Sequence, residues 1–343
     1  MKYKAYIGTY SVRNSKGIYL IEADTEAGVL KILNAWPASS PSYLDISNGI
    51  LFAALECKEF EGAEGGGAAS YAIGADGSLS LLSARPTKGK SPCHVCPWPE
   101  GKKLFVSNYG DGILSIFDVE NGILGEASLI VHSGHGPNEA RQKGPHVHSS
   151  QLEPGAKRLC VVDLGIDRAV FYNLADMNAV SGINAAGSFM TEGGAGPRHM
   201  VFSRSLPFAW IVCELSSEVY AFESGSGKRI GVYSTLPGGF SGKSSCAAIK
   251  LSPDERRLYA SNRGHDSIAC YDIDRGTGAL SLLSICPTGG RTPRDFAISP
   301  DGAYLFAANQ DSDSLRVFRL EDGVPVETGL FLDIPAPVCV LFA

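Results

Sequence analysis

The sequence predicts an all-β chain folded as a seven-bladed β-propeller, and three observations predict it. A unit of apolar run, Pro- or Gly-containing turn and further apolar runs recurs along the chain. One position of that unit is held by Ser42, Cys93, His148, Arg198, Ala247 and Arg294, in steps of 51, 55, 50, 49 and 47 residues. A period near 50 with three or four short strands per unit is the spacing of propeller blades, roughly 40–50 residues each. Within the units, apolar and polar residues alternate with period two, as in Leu104-Phe105-Val106-Ser107 and Ile268-Ala269-Cys270-Tyr271. Finally, the gaps between strands are too short for the crossover helices that a parallel sheet requires.

The units follow in order. Five align well, beginning at His94, His148, Arg198, Ala247 and Arg294, and a weaker one begins at Ser42. The dipeptides Asp76-Gly77, Asn121-Gly122, Asp301-Gly302 and Asp322-Gly323 separate strands as tight turns. Residues 5–34 hold three strands and lack the first strand of a unit. The last residues, APVCVLFA, form one apolar strand that places Val338 in the column, 44 residues after Arg294. The C-terminal strand is therefore expected to pair with the N-terminal three, closing the seventh blade and removing two open edges. Residues 1–343 read as a single domain.

Composition excludes several classes of function. Of 343 residues, 44% are hydrophobic and 19% charged, the balance of a globular chain rather than a disordered one. Net charge is −6 and the isoelectric point about 5.7, which argues against a partner held by its phosphate backbone, so no nucleic acid is expected. The start, MKYKAYIGTY, has no apolar signal region, and no run of about 18 apolar residues occurs, so neither export nor a membrane partner is expected. Nine scattered cysteines read as reduced, mostly buried thiols of a cytoplasmic protein. Oligomeric state is not legible.

Equivalent blade positions should face a common axis. Most of the column is chemically bland, but His148, Arg198 and Arg294 are not, and the next position adds Tyr43, His94, His199 and Asp295. A second column is read at Asn108, Asp163, Glu214, Asn262 and Asn309, followed by Tyr109, Leu164, Leu215, Arg263 and Gln310. The asparagines suit turn capping. Glu214 follows the apolar run Trp210 to Cys213 and should be partly desolvated. Arg198, Arg263 and Arg294 converging on one pocket would repel each other unless an anion fills it, and guanidinium forks match phosphate or carboxylate. The alternative is that each arginine pairs with a local acid, as Arg294 beside Asp295 permits.

The stretch from His132 to His148 is rich in imidazole, and His132 to Lys143 exceeds an ordinary linker, as expected of a loop folded over one mouth. His146 and His148 could share a strand face and hold a metal, but no third ligand is evident. Otherwise His148 is a general base poised near neutral pH, or a structural histidine bonded to the loop. Cys93 and Cys96 have CxxC spacing without a second pair and read as core. Gly62 to Gly67 and Ser241 to Ser245 lack phosphate-loop spacing, the former reading as a flexible linker, although Lys243 could reach a substrate phosphate.

The segments GPNEARQKGPHVHS (136–149), GAGPRHMVFS (194–203) with CEL (213–215), SNRGHDSIAC (261–270), and TPRDFAISPDG (292–302) with AANQDSDSL (307–315) resemble the bacterial β-propeller lactonases of the 6-phosphogluconolactonase type. The resemblance covers nearly the whole chain. Blade 5 departs from it where SRSLPFAW replaces the usual Ser-Pro-Asp-Gly turn. It implies a seven-bladed propeller and a pocket formed by His148, Arg198, His199, Glu214, Arg263 and Arg294; beside it, His146 and Lys243 are read as further substrate contacts. It implies hydrolysis of 6-phosphoglucono-1,5-lactone, a step of the pentose phosphate pathway, with His148, Glu214 and Arg198 catalytic and neither metal nor cofactor. The substrate partner would be a phosphorylated sugar lactone. The family also contains fungal enzymes that lactonise carboxylated muconates, whose chemistry the same pocket would serve. A non-enzymatic binding propeller would instead show aromatic and apolar residues at the mouth.

Overall fold

The computed structural model describes residues 1–155, 157–178 and 183–343; Ala156, in the turn of the unit that begins at His148, lies outside them. Among the described residues the chain forms β-strands and three short 3-10 helices, with no α-helix and none long and apolar enough to cross a membrane. Seven antiparallel sheets of at least four strands follow one another. We number them as blades 1 to 7, at 2–36 with 337–342, 41–86, 92–131, 147–190, 197–234, 245–287 and 293–333. In blade 1, Pro337–Phe342 pairs with Lys2–Thr9 in antiparallel register, Tyr6 opposite Leu341, as the terminal sequences predict.

The chain divides into two compact units, residues 38–197 and residues 1–37 with 198–343. Within the first, consecutive blades bury their facing side chains. Phe52 and Ala54 of blade 2 pack with Leu104 and Phe117 of blade 3, and Phe105 and Ile116 of blade 3 pack with Val161 and Tyr172 of blade 4. Within the second, Trp210 and Val212 of blade 5 meet Leu258 and Tyr271 of blade 6. Tyr259 and Cys270 then meet Phe296 and Phe318 of blade 7, and Phe306 and Leu315 of blade 7 meet Ile7 and Ile21 of blade 1. Burying each of the leucine, isoleucine, valine and phenylalanine side chains among them stabilises the fold by on the order of 1.5–3 kcal/mol. The Asn121-Gly122 and Asp322-Gly323 turns have positive φ at both residues, the geometry whose twist matches a hairpin.

The first strand of most blades opens with the same irregularity. Its ladder skips one residue, a β-bulge, and the skipped residue is Ser42, Cys93, His148, Arg294 or Val338; in blade 6 the break spans Ala247 and Ala248. These are members of the column read from the sequence. A bulge bends the strand and re-aims a side chain out of the alternating pattern. Ahead of it, Ser40, Ser91, Gly196, Thr292 and Ala336 adopt left-handed φ, each followed by a proline. For β-branched Thr292 that conformation is strained. It is held by Asp266, whose carboxylate accepts the Thr292 N–H at 2.8 Å, and by Asp311, which accepts the Thr292 hydroxyl at 2.6 Å.

Two expectations are corrected. The glycine-rich segment 62–67 is not a plain linker, because Glu59–Phe60 and Ala63–Glu64 pair as a small hairpin and Gly67 begins the next strand. A Cβ at Gly66 would collide with Pro92, so glycine there permits a close approach. The second column also shifts by one residue. Asn108, Asp163, Asn262 and Asn309 pair with Ile113, Arg168, Ser267 and Ser314 at the last step of the ladder to the next strand, and the residue in that place in blade 5 is Cys213, opposite Glu218. Glu214 therefore aligns with Tyr109, Leu164, Arg263 and Gln310.

The irregular turn of blade 5 is closed by its neighbour. Glu255 of blade 6 accepts hydrogen bonds from the hydroxyls of Ser203 and Ser205, at 2.6 and 2.5 Å, and from the backbone N–H groups of Arg204 and Ser205, at 2.6 and 3.2 Å. Burial opposes ionisation, but these donors outweigh it and hold the carboxyl at about 2, below its ordinary value of 4.5. A depressed folded-state value contributes stability that is present above about pH 4.5 and lost as pH falls toward 2. Glu255→Gln is expected to cost about 1.5–3 kcal/mol at pH 7. Urea denaturation of both proteins between pH 7 and 3 checks this, since the difference should narrow below pH 4.5; a pH-independent difference would contradict it.

Candidate active site

In the unit that holds blade 5, the re-registered Glu214 meets both neighbouring arginines. Its Oε2 lies 2.8 Å from Arg263 Nη2 and 3.2 Å from Arg198 Nε. The latter distance is that of an ion pair, although the Nε–H is not aimed along a hydrogen bond. Arg198 is 3% and Glu214 5% exposed, so the group is withdrawn from water. Burying such a triad is costly unless its remaining donors are satisfied. Blade 6 supplies the acceptors at its bulge: Ala247 O takes Arg198 Nη1 at 2.7 Å, and Cys246 O takes Arg263 Nη2 at 2.8 Å.

His199 completes this cluster. Its Nε2 lies 3.1 Å from Arg198 Nη1. A guanidinium can only donate, so Nε2 is the acceptor and the imidazole is neutral with its proton on Nδ1. Two guanidiniums share the Glu214 carboxylate, and Arg263 Nε is buried with no acceptor among the described residues. Such a site favours a further anion or a developing oxyanion.

Arg294 makes a contact of another kind. Its guanidinium stands 5.2 Å from the centre of the Tyr10 ring, a cation–π contact. Asp295 bonds elsewhere: its Oδ2 accepts the Val340 N–H at 2.9 Å and its Oδ1 lies 3.6 Å from Lys250 Nζ. Of the three arginines that the sequence expects to converge, two share Glu214 as their acid. Lys243 is exposed in the loop between blades 5 and 6.

In the other unit, His148 is 4% exposed and placed by its bulge. Its Nδ1 lies 3.7 Å from Cys93 Sγ, the bulged residue of the preceding blade. The ring of Tyr109 meets it edge-on at 5.4 Å and stacks on His146 at 4.4 Å. His146 Nδ1 is 2.7 Å from Tyr109 O; a carbonyl only accepts, so Nδ1 carries a proton. His132 has a structural part: it is clamped between Asp163 Oδ2 at 2.7 Å and the Tyr172 hydroxyl at 2.9 Å. His94 stacks on Tyr43 at 4.0 Å.

Sequence reasoning passed over Tyr109 and the carbonyls of Cys246 and Ala247. Tyr109 stood beside the second column and could have been found once Glu214 was aligned with it. The carbonyls carry no side-chain signal at all.

The Arg198–Glu214–Arg263 linkage predicts a strong stability coupling. Glu214→Gln takes the shared counter-charge from the buried Arg198 and the partly buried Arg263 and is expected to cost about 3–5 kcal/mol in urea denaturation. Adding Arg263→Met should recover part of the loss, and strictly additive costs would contradict the linkage.

The profile of the family described as "Lactonase, 7-bladed beta-propeller" matches residues 4–342. A 6-phosphogluconolactonase of Bacillus subtilis is 36% identical over 358 aligned residues, covering 99% of this chain and 98% of that protein. Among solved structures, the periplasmic gluconolactonase of Pseudomonas aeruginosa superposes with a TM-score of 0.94 at 32% identity, covering 100% of this chain and 99% of that one. A Lactobacillus plantarum protein superposes with a TM-score of 0.91 at 30% identity, covering all of both chains. With the sheet order, the bulged first strands and a match over nearly its whole length, the chain belongs to the lactonase family of seven-bladed β-propellers.

Proposed function

We propose that this protein hydrolyses 6-phosphoglucono-1,5-lactone to 6-phosphogluconate, without metal or cofactor. The observation that carries the reading is the full-length likeness to a 6-phosphogluconolactonase. The chemistry of the two clusters supports it. A lactone carbonyl is already electrophilic, so a base and a cation suffice. His148 takes a proton from the attacking water and returns it to the ring oxygen as the C–O bond breaks. Arg198, buried and fixed by Ala247 O, stabilises the oxyanion. Glu214, between two guanidiniums, sets Arg198 and Arg263 for the reaction. His199 keeps Arg198 in place, and Arg263, Arg294, His146 and Lys243 serve substrate binding.

A second reading, the unphosphorylated gluconolactone, is favoured by the likeness to the periplasmic gluconolactonase. All nine cysteines are free thiols, which supports a reducing, cytoplasmic location.

The test is lactone opening coupled to 6-phosphogluconate dehydrogenase, with EDTA in parallel and the spontaneous rate subtracted. Acceleration that EDTA leaves unchanged is expected, and none from folded protein would overturn the substrate. His148→Ala should lower turnover by about 10²–10⁴-fold with the fold intact; unchanged turnover would remove His148 as the base.

A further inference from the structure

In three blades the side chain at the first column reaches the backbone of the next blade. Ser42 Oγ of blade 2 donates to Pro92 O, beside the bulge of blade 3, at 3.4 Å. Arg198 Nη1 of blade 5 donates to Ala247 O, in the bulge of blade 6, at 2.7 Å. Cys93 of blade 3 makes the corresponding contact to blade 4. Its Sγ lies 3.3 Å from His148 O, nearer than Ser107 O at 3.7 Å or Val147 O at 3.9 Å.

Here the tie has a second branch. The same sulfur lies 3.7 Å from His148 Nδ1, so one thiol touches both the backbone and the ring of the proposed base. The two cysteines of the CxxC segment thus differ: Cys96 belongs to the apolar cluster with Phe105 and Leu159, whereas Cys93 meets an imidazole. A thiol has one proton to donate and a sulfur that accepts weakly. The proton goes to the nearer acceptor, His148 O. The sulfur is then left to accept Nδ1–H.

The chain around His148 is fixed by other bonds. Asp163 holds both ends of the preceding loop: Oδ2 lies 2.7 Å from His132 Nδ1, and Oδ1 accepts the His146 N–H at 2.7 Å. Gln142, wholly buried, fastens the middle through Leu164 O and Asp167 Oδ1, both at 2.8 Å. The Tyr109 edge limits the tilt of the His148 ring but does not choose between its nitrogens. A neutral imidazole has two tautomers, and a base must present its lone pair on the nitrogen that takes the proton.

We infer that Cys93 is a positioning residue for His148: its thiol holds the bulge and the Nδ1–H tautomer, so that the neutral ring carries its lone pair on Nε2. The inference rests on the lactonase reading, in which His148 is the base, and adds a residue to its machinery.

The test follows the tautomer and the turnover separately. Long-range 1H–15N spectra of the histidine rings are recorded at pH 8, with the His148 signals assigned by their loss in His148→Gln. Lactone hydrolysis is measured on the wild type, Cys93→Val and Cys93→Ser. Valine keeps the bulk, as at Val338 in the same column, and serine keeps a donor and an acceptor, as at Ser42. The wild type should show His148 protonated on Nδ1 alone. Cys93→Val should move the ring toward the Nε2–H tautomer. It should also lower kcat by about 2- to 10-fold, what one hydrogen bond of ordinary strength contributes, with KM within about twofold. Cys93→Ser should restore the tautomer and most of the turnover. If Cys93→Val does not fold, Cys93→Ala removes the thiol without adding bulk and is read in the same way.

A wild-type ring protonated on Nε2, an unchanged tautomer in Cys93→Val, a loss confined to KM, or a loss as large in Cys93→Ser would each overturn the inference. Lack of lactone hydrolysis by the wild type would defeat the lactonase reading instead, and the tautomer of His148 with and without the thiol would still decide the part of Cys93.

Discussion

One extra residue near the start of the first strand is the constraint on which much of the site depends. It breaks the ladder once in six of the blades described above, after a left-handed residue and a proline in four of them. The backbone accepts strain there, most plainly at Thr292, and neighbouring carboxylates hold it. In return a side chain leaves the alternating pattern that would bury it between sheets or expose it. The device is indifferent to what it presents: Ser42 and Val338 are bland, whereas His148 brings an imidazole. In blade 6 the same break turns carbonyls, not side chains, to use, and Arg198 and Arg263 bond there. Chemistry is thus varied on a frame that does not change.

Electrostatics then decides which groups act as ligands for substrate and which are held by the protein itself. Glu214 meets two guanidiniums in a nearly dry environment, which makes it a fixture of the scaffold as much as a reagent. The neutral His199 sits beside Arg198 because only an unprotonated imidazole nitrogen can accept from it. Asp163 does for the long loop what Glu214 does for the arginines: a single buried carboxylate ties together segments far apart in sequence.

The blade period, the alternation and the terminal closure were legible because each rests on local pattern or on simple counting. The first column was legible because the bulge keeps its members in one register. The second failed by one residue in blade 5, where Cys213 is apolar and reads as strand interior, while the acidic Glu214 imitates the polar residue that ends the other strands. The loop from His132 to His146 could be recognised as too long, but its bonding to Asp163 and Gln142 depends on distant partners that no local pattern announces. The sharing of Glu214 by Arg198 and Arg263 was hidden for the same reason.

The pairing of Lys2–Thr9 with Pro337–Phe342 bears on how the molecule is made. Tyr6 finds Leu341 only after all the residues between them have been synthesised. Until then one edge of the first strand presents unpaired N–H and C=O groups, an invitation to pair with another chain. Joining strands so distant in sequence also adds chain entropy to the closing step, which slows it. The first strand therefore waits for a partner far along the chain, and the interval before the two meet is when the folding chain most needs protection from its neighbours.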